Sequence, residues 1–194
     1  MREHSFATLI SSASDEPLIT HVPVIVDEVT GIIRAHVARA NPIWQDFTSG
    51  REVLIVFHGP HHYVSPSWYA SHPSVPTWNY AAVHVSGIPS VVDGHTKQGR
   101  DKIESILQEL IDENEANFPQ PWKMELPADY LQKMINGIVA FEVSVTRITG
   151  KFKLSQNRPP VDRINVVAAL RESGKDDALE VANLMELVTH SKDQ

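Results

Sequence analysis

The chain has 194 residues and no cysteine, and its 42% hydrophobic and 21% charged residues are the composition of a folded protein with a sizeable core. The missing cysteines exclude disulfides, iron–sulfur clusters, thiolate metal sites and cysteine nucleophiles, and 17 Lys and Arg against 24 Asp and Glu, a net charge of -7, oppose generic binding to nucleic-acid phosphates. No apolar run reaches the roughly 18 residues of a membrane-spanning helix, and Met1–Ile10 lacks the apolar core of a secretory leader, so a cytoplasmic location is expected.

From Ser5 to Val92 the chain reads as short strands between turn signals. Phe6–Ile10 is a short apolar run, and Leu18–Val26 and Ile32–Val37 flank the hairpin connection Asp27–Gly31. Val53–Phe57 is β-branched and ends before Gly59-Pro60, and Tyr80–Ile88 ends at Pro89. Runs of this length with Gly, Pro and Asp between them predict an antiparallel sheet or barrel. Asn41-Pro42 starts a short helix that carries Ile43 and Phe47. In the second half Ile103, Ile106, Leu107, Leu110 and Ile111 recur with helical period. Pro127 starts a short helix that Gly137 ends. Val139, Phe141, Val143 and Val145 alternate as a strand, a helix runs from near Asp162 to Gly174, and a last one covers Asp177 to His190. The late strand needs partners from the first half, so we expect residues 1–194 to be a single domain, mainly β with flanking helices (α+β), with a helical part from about 160 to 190.

Between Glu52 and Asp93 lie 40 residues without one Asp, Glu, Lys or Arg, and these include His58, His61, His62, His72 and His84. An uncharged, aromatic, hydrogen-bonding stretch suits a buried interface or the wall of a pocket for a flat ligand. His58-Gly-Pro-His61-His62 matches no metal motif, because Gly59-Pro60 breaks the helix on which His-x-x-His ligation is built and no carboxylate is near. We therefore expect no metal. There is no Gly-x-Ser-x-Gly, no phosphate-binding P-loop and no Gly-x-Gly-x-x-Gly. Arg39 stands between a strand end and the helix start at Asn41-Pro42, where a guanidinium beside free N–H groups can cradle a phosphate. Arg34 reads as a residue that decorates the strand. A second basic cluster is Arg147, Lys151, Lys153, Arg158 and Arg163.

Thr20-His-Val-Pro23, Gly31 through His36-Val-Ala-Arg-Ala-Asn-Pro42 with Trp44, Phe57-His-Gly-Pro60 with Tyr63-Val-Ser-Pro-Ser-Trp-Tyr69, and Val75-Pro-Thr-Trp-Asn-Tyr80 with Val83-His84 resemble, in order, the PaiB-type FMN-binding negative transcriptional regulators. Lys153-Leu-Ser-Gln-Asn-Arg158 with Asp162-Arg163 resembles that family's late motif. Its members carry a partly helical stretch ahead of the strand that begins here at Ser5, so a truncated start is an expectation of the comparison. The resemblance implies an FMN-binding split β-barrel like that of pyridoxamine-phosphate oxidase and the small flavin reductases, homodimeric, with FMN in clefts between subunits. It implies that Thr20, His21, Val22 and Pro23 edge the isoalloxazine. His36, Val37, Ala38, Arg39 and Asn41 would lie along the ribityl phosphate, with Arg39 as its cation. Trp78, Asn79 and Tyr80 would close the pocket, and Lys153, Gln156, Asn157 and Arg158 would reach it from the partner. No catalytic residue is implied. The functions implied are negative transcriptional regulation, through a DNA contact that the charge does not support, or flavin-dependent oxidoreductase or flavin reductase chemistry on the same fold. A haem-binding relative is the minor alternative, resting on the histidines.

Overall fold

β-Branched and aromatic runs favour the pleated conformation, and a computed structural model, which describes residues 1–190, turns them into seven strands. These are β1 (Phe6–Ser11), β2 (Leu18–Pro23), β3 (Ile25–Asp27), β4 (Ile32–Ala38), β5 (Val53–Val64), β6 (Thr77–Val91) and β7 (Ile138–Lys153). They form one sheet in the order β2-β1-β5-β6-β7-β4-β3, and β1 with β2, β1 with β5, β3 with β4 and β4 with β7 are antiparallel. β2 and β3 are the two ends of that order, yet only Val24 separates them in the chain. A sheet whose opposite edges are joined by one residue has to curl until they meet. The seam is a covalent continuation and not a hydrogen-bonded ladder, so the barrel is split.

The chain falls into two compact units, residues 1–57 with 84–148 and residues 58–83 with 149 onward. β5, β6 and β7 each have residues in both. In the first unit one face of each strand is apolar and buried: Ala7 and Leu9 on β1, Ile33, Ala35 and Val37 on β4, Val53, Ile55 and Phe57 on β5, Phe141 and Val143 on β7. Pro42–Ser49 is a 3-10 helix capped by Asn41, and it buries Ile43 and Phe47, whose ring centroid lies 4.8 Å from that of Phe141. On the other face, α1 (Lys97–Glu115) and α2 (Ala128–Asn136) pack Ile103, Ile106, Leu110 and Ile135 against Ile25 and Ala140. This is the stripe that the helical period of α1 predicts.

The second unit has its own core. Val64, Tyr69 and Leu154 pack with Val166 and Leu170 of α3 (Pro160–Ser173) and with Ala178, Val181, Ala182 and Met185 of α4 (Asp176–His190). Pro160 occupies the first turn of α3, two residues before the expected start, since its missing N–H costs nothing there. Gly174, at φ 64, ends α3 in the left-handed conformation that glycine adopts without strain.

Several strand ends differ from expectation: β6 already starts at Thr77, β7 runs past Val145 to Lys153, and the run Leu18–Val26 is broken into β2 and β3. β5 runs through Gly59-Pro60 to Val64, and β6 through Pro89 to Val91. A Cβ on Gly59 would lie 2.9 Å from the carbonyl oxygen of Ala81; this glycine serves a close approach of two strands, not a turn. Proline removes one donor, which a strand tolerates where that donor is not needed for pairing.

Candidate functional site

In the first unit β2 ends the strand order, so among the described residues its outer backbone groups have no neighbouring strand. Alternation sets Thr20 half-buried and Val22 buried on one side and His21 exposed on the other, its ring stacked 6.2 Å from that of Phe6. Pro23, half-buried, ends the strand. Asn41 links this edge to the 3-10 helix. Its side-chain oxygen accepts from the Ile43 N–H at 3.0 Å, and its Nδ2 donates to the Thr20 hydroxyl at 3.0 Å. One carboxamide therefore both caps a helix and fixes a strand edge.

Alternation along β4 points Val37 into the buried layer and His36 to the face that α1 and α2 cover, opposite Ala140 in register. Among the described residues the buried Nδ1 of His36 has no hydrogen-bond partner. Burial lowers the pKa of this imidazole below its ordinary 6.5 and so keeps it neutral. Ala38 is exposed. Arg39 is exposed too, but it is not loose. Its backbone N–H donates to the Gly137 carbonyl at 2.8 Å, Nε to Asn136 O at 2.7 Å and Nη2 to Ile138 O at 2.7 Å, while its own carbonyl accepts from Trp44 Nε1. The guanidinium thus caps the C-terminal end of α2, where cations belong, and these bonds leave Nη1 outside them. In kind these residues suit a flavin with a phosphate tail: a guanidinium held in one plane, a carboxamide two residues along the chain that is bonded to a hydroxyl of β2, and a terminal strand edge.

The other expected residues belong to the second unit. Trp78 and Tyr80 are exposed on one side of β6. Asn79, between them, faces the opposite way and is fully buried, with Nδ2 3.3 Å from the Met185 sulfur and Oδ1 accepting from Ser155 Oγ at 3.1 Å. Asn79 therefore does not share a wall with its neighbours, because strand period two separates them. Lys153 donates to the Thr77 hydroxyl at 2.6 Å. Gln156 closes its own turn, donating to Phe152 O and accepting from Leu154 N–H, and Asn157 is exposed. Arg158 lies 4.2 Å over the Tyr69 ring and donates to the Ser74 hydroxyl.

Some contacts gave no sequence signal, and the ion pairs of Arg34 correct its reading as a residue that only decorates the strand. Arg34 is ion-paired with Glu109 of α1 at 2.7 Å and with Asp27 at 3.4 Å. Asp27 is itself held near pKa 2 by hydrogen bonds from the Thr30 hydroxyl and N–H. Asp162 is 0% exposed, and one of its oxygens accepts from the Ala70 and Ser71 N–H groups at 2.8 and 3.1 Å. Partners 75 and 92 residues apart leave no local pattern. Among the described residues, no three His, Asp or Glu converge as a metal-binding group.

Residues 1–147 match the family model described as "Putative FMN-binding domain". The chain is 35% identical over 190 residues to "Protease synthase and sporulation protein PAI 2" of Bacillus subtilis (strain 168), an alignment that covers 96% of this chain and 88% of the relative. Among solved structures it is similar in fold to the FAD and heme binding protein of Mycobacterium smegmatis, with a TM-score of 0.53 at 11% identity over 84% of this chain and 72% of that one. The Flavocytochrome Anf3 of Azotobacter vinelandii gives a TM-score of 0.51 at 12% identity, over 76% of this chain and 61% of that one.

Proposed function

The chain belongs to the FMN-binding family whose model covers its residues 1–147, and we propose that it is a flavin-dependent oxidoreductase that holds the FMN phosphate end at the corner made by Thr20, Arg39 and Asn41. The observation that carries this reading is the pair of carbonyls, Asn136 O and Ile138 O, that fix the plane of the exposed Arg39 guanidinium. A cation whose side chain is already ordered loses little rotamer freedom when a phosphate arrives. When bound, FMN supplies the redox chemistry, and the protein's task is to bind, orient and shield it. Arg39 Nη1 is available to the phosphate, and the unpaired edge of β2 offers backbone donors and acceptors to the ring's polar rim. No acid–base pair is needed for such a role.

Titration of flavin-free protein with FMN tests it. We expect saturable binding with shifted flavin absorption near roughly 370 and 450 nm, and reduction of the bound flavin by a reduced nicotinamide under anaerobic conditions. Absence of saturable FMN binding at micromolar protein overturns the reading. A second reading is a flavin-binding repressor, and what supports it is the resemblance of the Thr20–Pro23, Gly31–Pro42 and Lys153–Arg158 motifs to the PaiB-type regulators. Its test is binding to random duplex DNA: submicromolar affinity at about 150 mM salt favours it over the first, because so acidic a chain offers few cations to displace counterions.

A further inference from the structure

The buried layer of the first unit does not close beside the turn that joins β3 to β4. Ile33 of β4 and Val85 of β6, 1% and 0% exposed, line the deep side of a cavity of about 130 Å³ there. Val26 of β3, Val145 and Ile148 of β7 and Met1 surround it, and its lining is almost wholly apolar. The cavity is held open by its own backbone. Val26 and Ile33 are register partners in the β3–β4 ladder, and the Val145 N–H donates to the Gly31 carbonyl at 2.9 Å. Asp27 fixes the turn. Its Oδ1 accepts from the Val29 and Thr30 N–H groups at 3.0 and 3.1 Å, and its carbonyl accepts from the Gly31 N–H at 2.9 Å. Gly31 lines the cavity and has no side chain to fill it. Walls tied in this way cannot collapse into the void.

Size and charge restrict the occupant. Packed interiors hold few voids larger than a water molecule. One lined by aliphatic side chains stays dry, and at roughly 150 Å³ such a void takes up benzene. The two acids in the lining are Asp27 and Glu28. Their arginine partners, Arg34 at 3.4 Å and Arg2 at 3.5 Å, do not line the cavity. An anion that entered would give up its hydration and meet only like charge. We propose that this cavity is a binding site for a compact, uncharged apolar molecule about the size of one six-membered ring. Burial of the ring against Ile33, Val85, Val26 and Val145 supplies the affinity, and the two carboxylates reject its anionic analogues. The flavin reading at Thr20, Arg39 and Asn41 needs none of these residues, so the two stand or fall separately.

Methyl NMR of the full chain, titrated with benzene and with benzoate, tests the assignment. We expect benzene to shift the methyl resonances of Val26, Ile33 and Val85 saturably. Those of Val166 and Leu170, in the core of the second unit, should stay where they are. Benzoate at the same concentration should move none of the five. Val145→Phe should fill the cavity from one wall and abolish the saturable shifts. Ile148 is 56% exposed, so Ile148→Trp can obstruct the cavity without repacking the core, and it should abolish them too. If Val145→Phe does not fold, Ile148→Trp alone decides. The proposal is overturned if benzene gives no saturable shift at Ile33 and Val85, or if benzoate shifts them as far. It is equally overturned if the benzene shifts survive the variants in samples with wild-type circular dichroism. Failure of an FMN titration on the same samples would count against the Arg39 corner alone.

Discussion

Arg39 combines a structural and a binding role in one guanidinium. Nε and Nη2 satisfy two carbonyls at the junction of α2 and β7, and Nη1 is left for a ligand. A charge-assisted contact to phosphate contributes about 1.5–3 kcal/mol, so Arg39→Ala should weaken FMN roughly 10- to 150-fold and leave riboflavin, which lacks the phosphate, unchanged. Equal losses for both flavins in a titration would mean that the α2 junction, not the phosphate contact, has failed. Arg39→Lys should recover only part, because lysine lacks the planar fork. Arg34 is a poor control despite its bland setting in the sequence, since Glu109 and Asp27 tie it across elements. His36 gives a pH prediction. Its folded pKa lies below the ordinary 6.5 because burial disfavours the charged ring, so the unfolded chain takes up a proton first. Stability contributed by neutral His36 is complete above about pH 6.5 and declines as pH falls toward the folded pKa. Urea unfolding of His36→Gln should show a shallower loss than wild type between pH 6.5 and 5; parallel profiles would remove His36 as a contributor.

Among the elements, α3 depends on a contact that no periodicity announces. Asp162, in its first turn, accepts from two backbone N–H groups of the Ala70–Ser71 segment. Asp162→Ala leaves those donors without that partner, at roughly 1–3 kcal/mol for each one that stays buried. We therefore expect a clear fall in the urea midpoint, and a variant as stable as wild type would show that water replaces the carboxylate. The elements themselves were legible to different degrees. α1 was read correctly because Ile103, Ile106 and Leu110 repeat with helical period and are buried as that period requires. The ends of β5 and β6 were not, because Gly59, Pro60 and Pro89 are turn residues in most contexts. Here the tertiary approach of β5 to β6 at Ala81 gives Gly59 its reason.

On the scale of the whole molecule, the 40 residues between Glu52 and Asp93 that carry no Asp, Glu, Lys or Arg still expose Tyr63, Val75, Trp78, Tyr80, Ile88 and Val91. Exposed apolar side chains of this kind mark interaction surfaces, and we propose a second copy of the chain as the partner, as the family resemblance implies. We expect light scattering to return about twice the chain mass of 21.7 kDa; a clean monomer at micromolar concentration would remove the shared-cleft arrangement. The sequence by itself determined the family and the β-rich class with its late helices, and it named the residues that the resemblance assigns to a flavin site, because period, capping and motif order are local properties of a chain. Only the tertiary structure decided which of those residues meet. Asn41 reaches Thr20, Arg39 grips α2, and Asn79 turns away from Trp78 and Tyr80 into a core. The split barrel likewise follows from strand order, with β2 and β3 at opposite edges of a sheet and one residue apart in the chain. Such pairings join residues far apart in sequence, and the free energy that selects them comes from burial and hydrogen bonds that no local pattern encodes.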